Sequence, residues 1–383
     1  MLLVHTCMID MLRIPAVAEQ RVGYISIAYP EDRIKRLLEK IPFRKVRHLA
    51  IQNYLHISMA LRAWRMPRQA LVIIMEFYPK HMLFAAPLFK LCGRRIAFVM
   101  HGSQQAAIHS ASHRLALWYY KLWGFVSILL EIGDEGIPAS CRVSPRRRLV
   151  LPLTTISDTQ PRLALGERLP EQARIRIGIV GMLRKGKPYA RLLERLAALV
   201  SSQFEHYDLV VGTPAWSHDG SLAQPNIEVI DTDNMDQYFS LLRSLDIFVA
   251  DFEHEEYFYR GSASIVDALS CGCHVVCPDF PVLNHQVTWP TRVGTTFTNP
   301  DQLEAALTEA VSYVRANGQD AQWRYREKRD WAAAAQLIDE YLADHGRPET
   351  QPTESREPLY DLGLANFTGR NAGEPALENS DAY

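Results

Sequence analysis

Residues 70–79, ALVIIMEFYP, are apolar almost without interruption and show no alternation of polar and apolar positions. A strand hydrophobic on both faces must be covered on both, which a parallel sheet between helical layers achieves and a one-sided antiparallel sheet does not. The neighbouring segments repeat the theme. Residues 1–5 and 22–29 read as strands, 31–40 as a helix with Ile34, Leu37 and Leu38 on one face, and 48–65 as a longer helix. A helix to about Cys92 and a strand over residues 95–103 complete a βαβ unit. The second half starts afresh with a strand at 174–183, a helix at 189–201, strands at 207–212 and 227–231, a helix at 235–244 and a strand at 246–251. Helices over 300–316 and 321–343 close it. The expected fold is α/β, two Rossmann-like doubly wound lobes, with ligands beyond the carboxyl ends of the strands.

A chain of 383 residues that is 48% apolar can bury two such cores. Residues 157–173 carry Pro161, Gly166 and Pro170 with little apolar periodicity and read as the linker. The expected organisation is therefore a first lobe over 1–156, a linker over 157–173, a second lobe over 174–345, and a polar tail over 346–383 that lacks an apolar face.

Net charge is −1, but residues 1–150 hold 22 Lys and Arg against 9 Asp and Glu, and the rest hold 20 against 34. The basic first lobe suits an anionic membrane surface, a polyanion or a phosphate-bearing acceptor, or simply a solvated face. Its aromatics sit in apolar runs rather than among Lys and Arg, which argues against nucleic acid as a partner. Residues 115–132, LALWYYKLWGFVSILLEI, are long enough to raise a membrane span. Lys121 and Gly124 break the run into a helix and a core strand, while Trp118, Tyr119, Trp123, Arg114 and Lys121 offer an interfacial face instead. Residues 1–7 lack a basic n-region and a cleavage site, so the expected compartment is the cytoplasm, peripheral to the inner membrane face if the basic lobe binds it, with reduced thiols. Cys271, Cys273, His274 and Cys277 straddle a helix end and a strand, with no second ligand pair at zinc spacing, and read as small core residues.

Two segments carry chemistry. Residues 259–278, YRGSASIVDALSCGCHVVCP, read as a small-residue turn, a helix stopped at Cys271-Gly272, and a buried strand. Unpaired amides at such a helix start, with the hydroxyls of Ser262 and Ser264 and the helix dipole, suit a phosphate or diphosphate. Asp267, one turn in, is placed to accept from ribose hydroxyls, or is an ordinary early-helix acid. The second segment is the basic loop Arg184-Lys185-Gly186-Lys187-Pro188 between a strand and a helix, a phosphate-binding arrangement without a Walker or dinucleotide fingerprint.

The run DALSCGCHVVCP resembles the E-A-x-A-x-G-x-P-V-V segment of the retaining "group 1" glycosyltransferases of GT-B fold, and residues 180–187 resemble their V-G-R-L-x-x-x-K-G segment. The resemblance implies two lobes facing a cleft. It gives Asp267 the donor ribose, Gly261, Ser262, Ala263 and Ser264 the diphosphate, and Lys187 the departing charge. Met182 stands at the usual Arg position, with Arg184 as a nearby substitute, and His274 stands where Pro is usual. His101, at a first-lobe strand end, matches a His that reaches the donor sugar. The family's second Glu falls on Tyr259, so Glu256, nearest of Glu253, Glu255 and Glu256, is the expected stand-in.

The implied activity is transfer of a sugar from a nucleoside-diphosphate-sugar to an acceptor hydroxyl on a glycan, lipid-linked or small molecule, with retention and without a metal or other cofactor. It would belong to polysaccharide biosynthesis. A nucleotide-sugar epimerase on the same fold, and a non-catalytic relative acting as a binding protein, are the alternatives.

Overall fold

The computed structural model describes residues 2–5, 24–27, 40–66, 71–74, 77, 79–81, 83–155, 159–182, 189–203, 207–217 and 227–345. Two six-stranded sheets, each parallel throughout, lie within one compact unit, Met1–Tyr341. The first comprises β1 (Leu2–His5), β2 (Tyr24–Ile27), β3 (Leu71–Ile74), β4 (Arg95–Val99), β5 (Val126–Leu130) and β6 (Arg148–Leu151), in the order β2-β1-β3-β4-β5-β6. Helices α1 (Arg44–Trp64), α2 (Ala85–Leu91), α3 (Ser103–His109) and α4 (Ala111–Leu122) connect its strands. All four residues of β3 are buried, as the uninterrupted apolar run requires.

The second sheet comprises β7 (Ile175–Val180), β8 (Tyr207–Thr213), β9 (Ile227–Asp231), β10 (Ile247–Val249), β11 (His274–Pro278) and β12 (Gly294–Phe297), ordered β12-β11-β10-β7-β8-β9. Strand order reverses between β7 and β10, which makes their carboxyl ends the crevice of this lobe. Its helices are α5 (Tyr189–Gln203), α6 (Met235–Ser244), α7 (His254–Tyr257), α8 (Ala263–Ser270), α9 (Pro281–Thr288), α10 (Leu303–Asn317), α11 (Asp320–Lys328) and α12 (Trp331–His345). The predicted doubly wound architecture is therefore present twice.

Three features depart from the sequence reading. The helix expected over 321–343 is two helices, because Arg329 turns inward, fully buried, and Asp330 accepts from the Ala333 amide to start the second one. The linker is packed on the second lobe: Leu163 is buried, its amide donates to Gln319 at 2.7 Å, and Arg162 pairs with Asp246. Residues 281–297, unassigned from sequence, form α9 and β12. The helix expected over 31–40 falls almost wholly outside the described residues, as does the tail over 346–383. No helix among the described residues is long and apolar enough to cross a membrane; residues 115–132 are the end of α4 and β5.

Arg329 joins the lobes. Its guanidinium grips Glu131 in two parallel contacts of 2.8 Å each, both side chains 0% exposed, and His285 meets the same carboxylate at 3.0 Å. Glu131 follows β5 of the first lobe at φ 75 and also accepts from the Leu153 amide. Burial works to raise its pKa, but Arg329 and His285 outweigh it and hold the carboxyl below its ordinary value. The guanidinium also lies over the rings of Trp289 and Tyr325, 5.1 and 4.7 Å from their centroids.

Candidate active site

The turn before α8 is built as the residue pattern requires. Ser262 is the N-cap, but its hydroxyl lies 2.9 Å from that of Ser264, so the first amides of α8 have no side-chain cap. Gln286, fully buried in α9, fixes the turn from behind: it accepts from the Ser262 amide at 2.9 Å and donates to the Ser262 carbonyl at 3.1 Å. Gly261 sits against Leu153 and Val282, where an added Cβ would come within 3.1 Å of Leu153. Ala263 is exposed and Ser264 half-buried, so the helix start is open to solvent. At the other end Gly272, at φ 98, closes a Schellman motif, with Gly272 N–H bonded to Leu269 and Cys273 N–H to Ala268.

Ser264 faces a crevice shared with Ile179 and Val180 of β7, Leu192 of α5, and the segment from Phe248 to Phe252 at the end of β10. This is the switch point of the second sheet. Arg184 and Lys187 lie outside the described residues, but the residues on both sides of their loop, Val180 and Leu192, border the same crevice as Ser264. Asp251 also lines it, a residue the motif reading passed over. Burial raises its pKa against Arg191, which lies 3.5 Å away.

Asp267 is placed differently from the open ribose acceptor the motif suggests. It is 7% exposed, and the Tyr238 hydroxyl of α6 donates to it at 3.0 Å. Burial lifts its pKa to about 7 against that hydrogen bond. Tyr238 thus occupies the hydrogen-bonding position that the motif reserves for a ribose. No sequence signal marked it.

The first lobe meets the second next to this turn. His101 is half-buried just past β4, and Gly102 abuts the Arg260 side chain, with an added Cβ 3.6 Å from its Cδ. The strand end bearing His101 thus meets the turn bearing Gly261 to Ser264. Gln105 of α3 bridges the lobes: its amide nitrogen donates to the Glu255 carbonyl at 2.6 Å and the His254 carbonyl at 3.3 Å, and its oxygen accepts from the Tyr259 amide at 2.8 Å. Tyr259 completes the bridge, its phenol donating to the Gly136 carbonyl at 2.7 Å. Glu256 is half-buried in α7 beside this bridge, while Glu253 and Glu255 are exposed.

The cysteines behave as core residues. Cys271, Cys273 and Cys277 are fully buried, and burial pushes the Cys271 thiol up to about 12. His274 is likewise sealed, its Nε2 3.0 Å from the Thr295 hydroxyl, with burial lowering its pKa to about 3. Among the described residues no group of His, Cys, Asp and Glu could hold a metal ion.

Two facing Rossmann-like lobes with a crevice at the second lobe's switch point define the GT-B fold. Solved structures of that class superimpose on the chain. Trehalose-6-phosphate synthase of E. coli, bound with UDP-2-fluoro glucose, matches with a TM-score of 0.60 at 11% identity over 90% of this chain and 98% of that one. Sucrose-phosphate synthase from Thermosynechococcus elongatus matches with a TM-score of 0.58 at 13% identity, covering 84% and 82%. Anabaena HepE in complex with UDP-glucose matches with a TM-score of 0.56 at 14% identity, covering 90% and 99%. No family model matches the sequence, and no curated protein sequence matches it.

Proposed function

We propose that the chain is a glycosyltransferase that takes a sugar from a nucleoside-diphosphate-sugar and delivers it, with retention, to an acceptor hydroxyl in the cleft. The observation that carries this reading is the crevice where the open start of α8 meets the end of β7. Unpaired amides and the helix dipole favour a diphosphate there. Lys187 and Arg184, in the loop that leaves β7, supply the cationic charge.

In the reaction the bond between the anomeric carbon and the diphosphate oxygen breaks, and its electron pair leaves with the nucleoside diphosphate. A carbon–oxygen bond to the acceptor forms, and the acceptor's proton passes to the departing phosphate or to Glu256. Positive charge builds on the sugar and negative charge on the leaving group. Lys187, Arg184 and the amides of Gly261, Ala263 and Ser264 answer the second without a metal, the Ser262 amide being held by Gln286 instead, and His101 contacts the sugar from the first lobe. Asp267 accepts from the ribose once the Tyr238 hydroxyl turns aside.

Thermal-shift measurements with UDP, GDP, ADP and their sugar conjugates test the donor site, since a ligand held only by the folded state raises the melting temperature. Stabilisation by at least one, weakened in Lys187→Ala, is the expected result. No response to any of them removes the reading. Tyr259 favours a second possibility, because the residue at the family's acidic position serves here as a strut between lobes. Binding without turnover would select that non-catalytic function.

A further inference from the structure

We infer that the outer surface of the first lobe's helical layer docks on an anionic lipid bilayer, independently of what the second lobe binds. The steps from β2 to β3, β4 and β5 all run the same way across the sheet. Right-handed crossovers then put α1, α2 and α4 on one face, side by side. Two sets of bonds stitch that layer together. Arg94, after α2, donates to the Trp64 and Met66 carbonyls at the end of α1, and Tyr119 of α4 donates to the Leu83 carbonyl before α2.

The layer's outward side is apolar where a soluble surface would be polar. Trp64, Phe84, Leu91, Leu115, Trp118 and Leu122 are each between 50% and 68% exposed. Leu115, Trp118 and Leu122 stand at i, i+3 and i+7 on α4, opposite the buried Ala116, Leu117 and Tyr120, and Phe84 and Leu91 are likewise seven apart. Among the described residues, eleven of the fourteen large apolar side chains left exposed belong to the first lobe. A patch of this kind marks an interaction site.

Charge names the occupant. Residues 41–130 contain 12 Lys and Arg and a single acid, Glu76; α1, α2 and α4 contain no Asp or Glu at all. Arg62, Arg65 and Lys90 are exposed beside the apolar stripes. An apolar, Trp-bearing stripe flanked only by cations fits an acidic lipid surface, where the rings enter the interface and Lys and Arg meet headgroup phosphates. Such docking would hold the cleft at the membrane and favour an acceptor that is itself lipid-linked.

The test is sedimentation of the full chain with vesicles of phosphatidylcholine alone or with about a third phosphatidylglycerol, at low and high salt. The charged vesicles should bind at least roughly tenfold more tightly, with the advantage lost at high salt as the surface charges are screened. Trp118→Ser with Leu122→Ser, and separately Arg65→Glu with Lys90→Glu, should each weaken binding about tenfold while the melting temperature holds. Both pairs are exposed, so folding should survive. Equal affinity for the two vesicle types, no binding to either, or wild-type binding by both double variants overturns the proposal. So does concentration-dependent self-association that Trp118→Ser abolishes, because the face would then belong to a second copy.

Discussion

Replacing Arg329 with Met removes the cation from a site where both partners are 0% exposed and leaves Glu131 sealed beneath the junction of the lobes. Breaking a buried pair from one side costs about 3–5 kcal/mol, because the remaining charge keeps its desolvation penalty and loses its partner. His285 stays at 3.0 Å and offsets part of that, which places the expectation near the lower end, about 3 kcal/mol. Taking the unit of residues 1–341 to melt together, an unfolding entropy of about 2.1 cal/mol/K per residue gives about 0.7 kcal/mol/K, so the melting temperature should fall by about 4 °C at pH 7. The pH dependence has a definite sign. In the wild type the carboxyl is held below its ordinary value, so its contribution is present at neutral pH and lost as pH falls through the folded pKa. In the variant only His285 and the Leu153 amide are left to oppose burial, so the pKa rises and acid relieves the strain. The gap between wild type and variant should therefore narrow from pH 7 to pH 5. Differential scanning calorimetry of Arg329→Met, Glu131→Gln and the double variant measures this. The double variant should lose less than the two single losses added together, with a coupling of at least about 1 kcal/mol. Additive losses, or a gap that widens in acid, would refute the reasoning.

Asp267→Asn should raise the melting temperature at pH 8, and raise it less at pH 5. A buried acid with its pKa raised to about 7 contributes fully below its ordinary value of 3.8 and loses that contribution as pH rises from there through the folded pKa; calorimetry at the two pH values checks it. Asp267→Ala and Lys187→Ala should each lower sugar transfer by at least roughly tenfold, equivalent to about 1.4 kcal/mol in the barrier, in an assay of nucleoside diphosphate release; wild-type rates in both would remove the site assignment. Tyr259→Phe should cost about 1 kcal/mol of stability through the lost bond to Gly136, read by urea unfolding. Gly272→Ala should cost more than that, since φ 98 suits glycine and an added Cβ would come within 2.7 Å of Gln319.

The alternation of strands and helices was legible wherever the pattern was local. Helix α6 matches the sequence reading over Met235–Ser244 because its signals are all nearby: Asn234 and Gln237 form a capping box, and Leu241 and Leu242 turn inward. The break at Arg329 was not legible. Residues 321–343 carry helical periodicity throughout, and the partner that draws Arg329 inward is 198 positions away. Strand β12, GTTF, is short with Phe297 its single large apolar residue, and its Gly294 is needed because the Val275 carbonyl would lie 2.6 Å from a Cβ, a demand no local pattern reveals. In the site, glycine and serine spacing located the turn before α8, since those residues act through their own backbone. Gln105, Gln286 and Tyr238 escaped notice for the opposite reason: each is a neutral group of ordinary type whose task is assigned by an element from elsewhere in the chain.

The bridge through Gln105 and Tyr259 has a bearing on how the molecule exchanges what it holds. Parting the lobes at this edge means releasing the bonds to Glu255, His254, the Tyr259 amide and Gly136 within one step, while the Glu131 junction beyond β5 keeps its own contacts. The two edges are thus fastened differently, by neutral hydrogen bonds at one and by a buried ion pair at the other. An ionised carboxylate at position 259 has no proton to donate and would bring negative charge toward the Gly136 carbonyl oxygen, so this join between the lobes depends on the phenol.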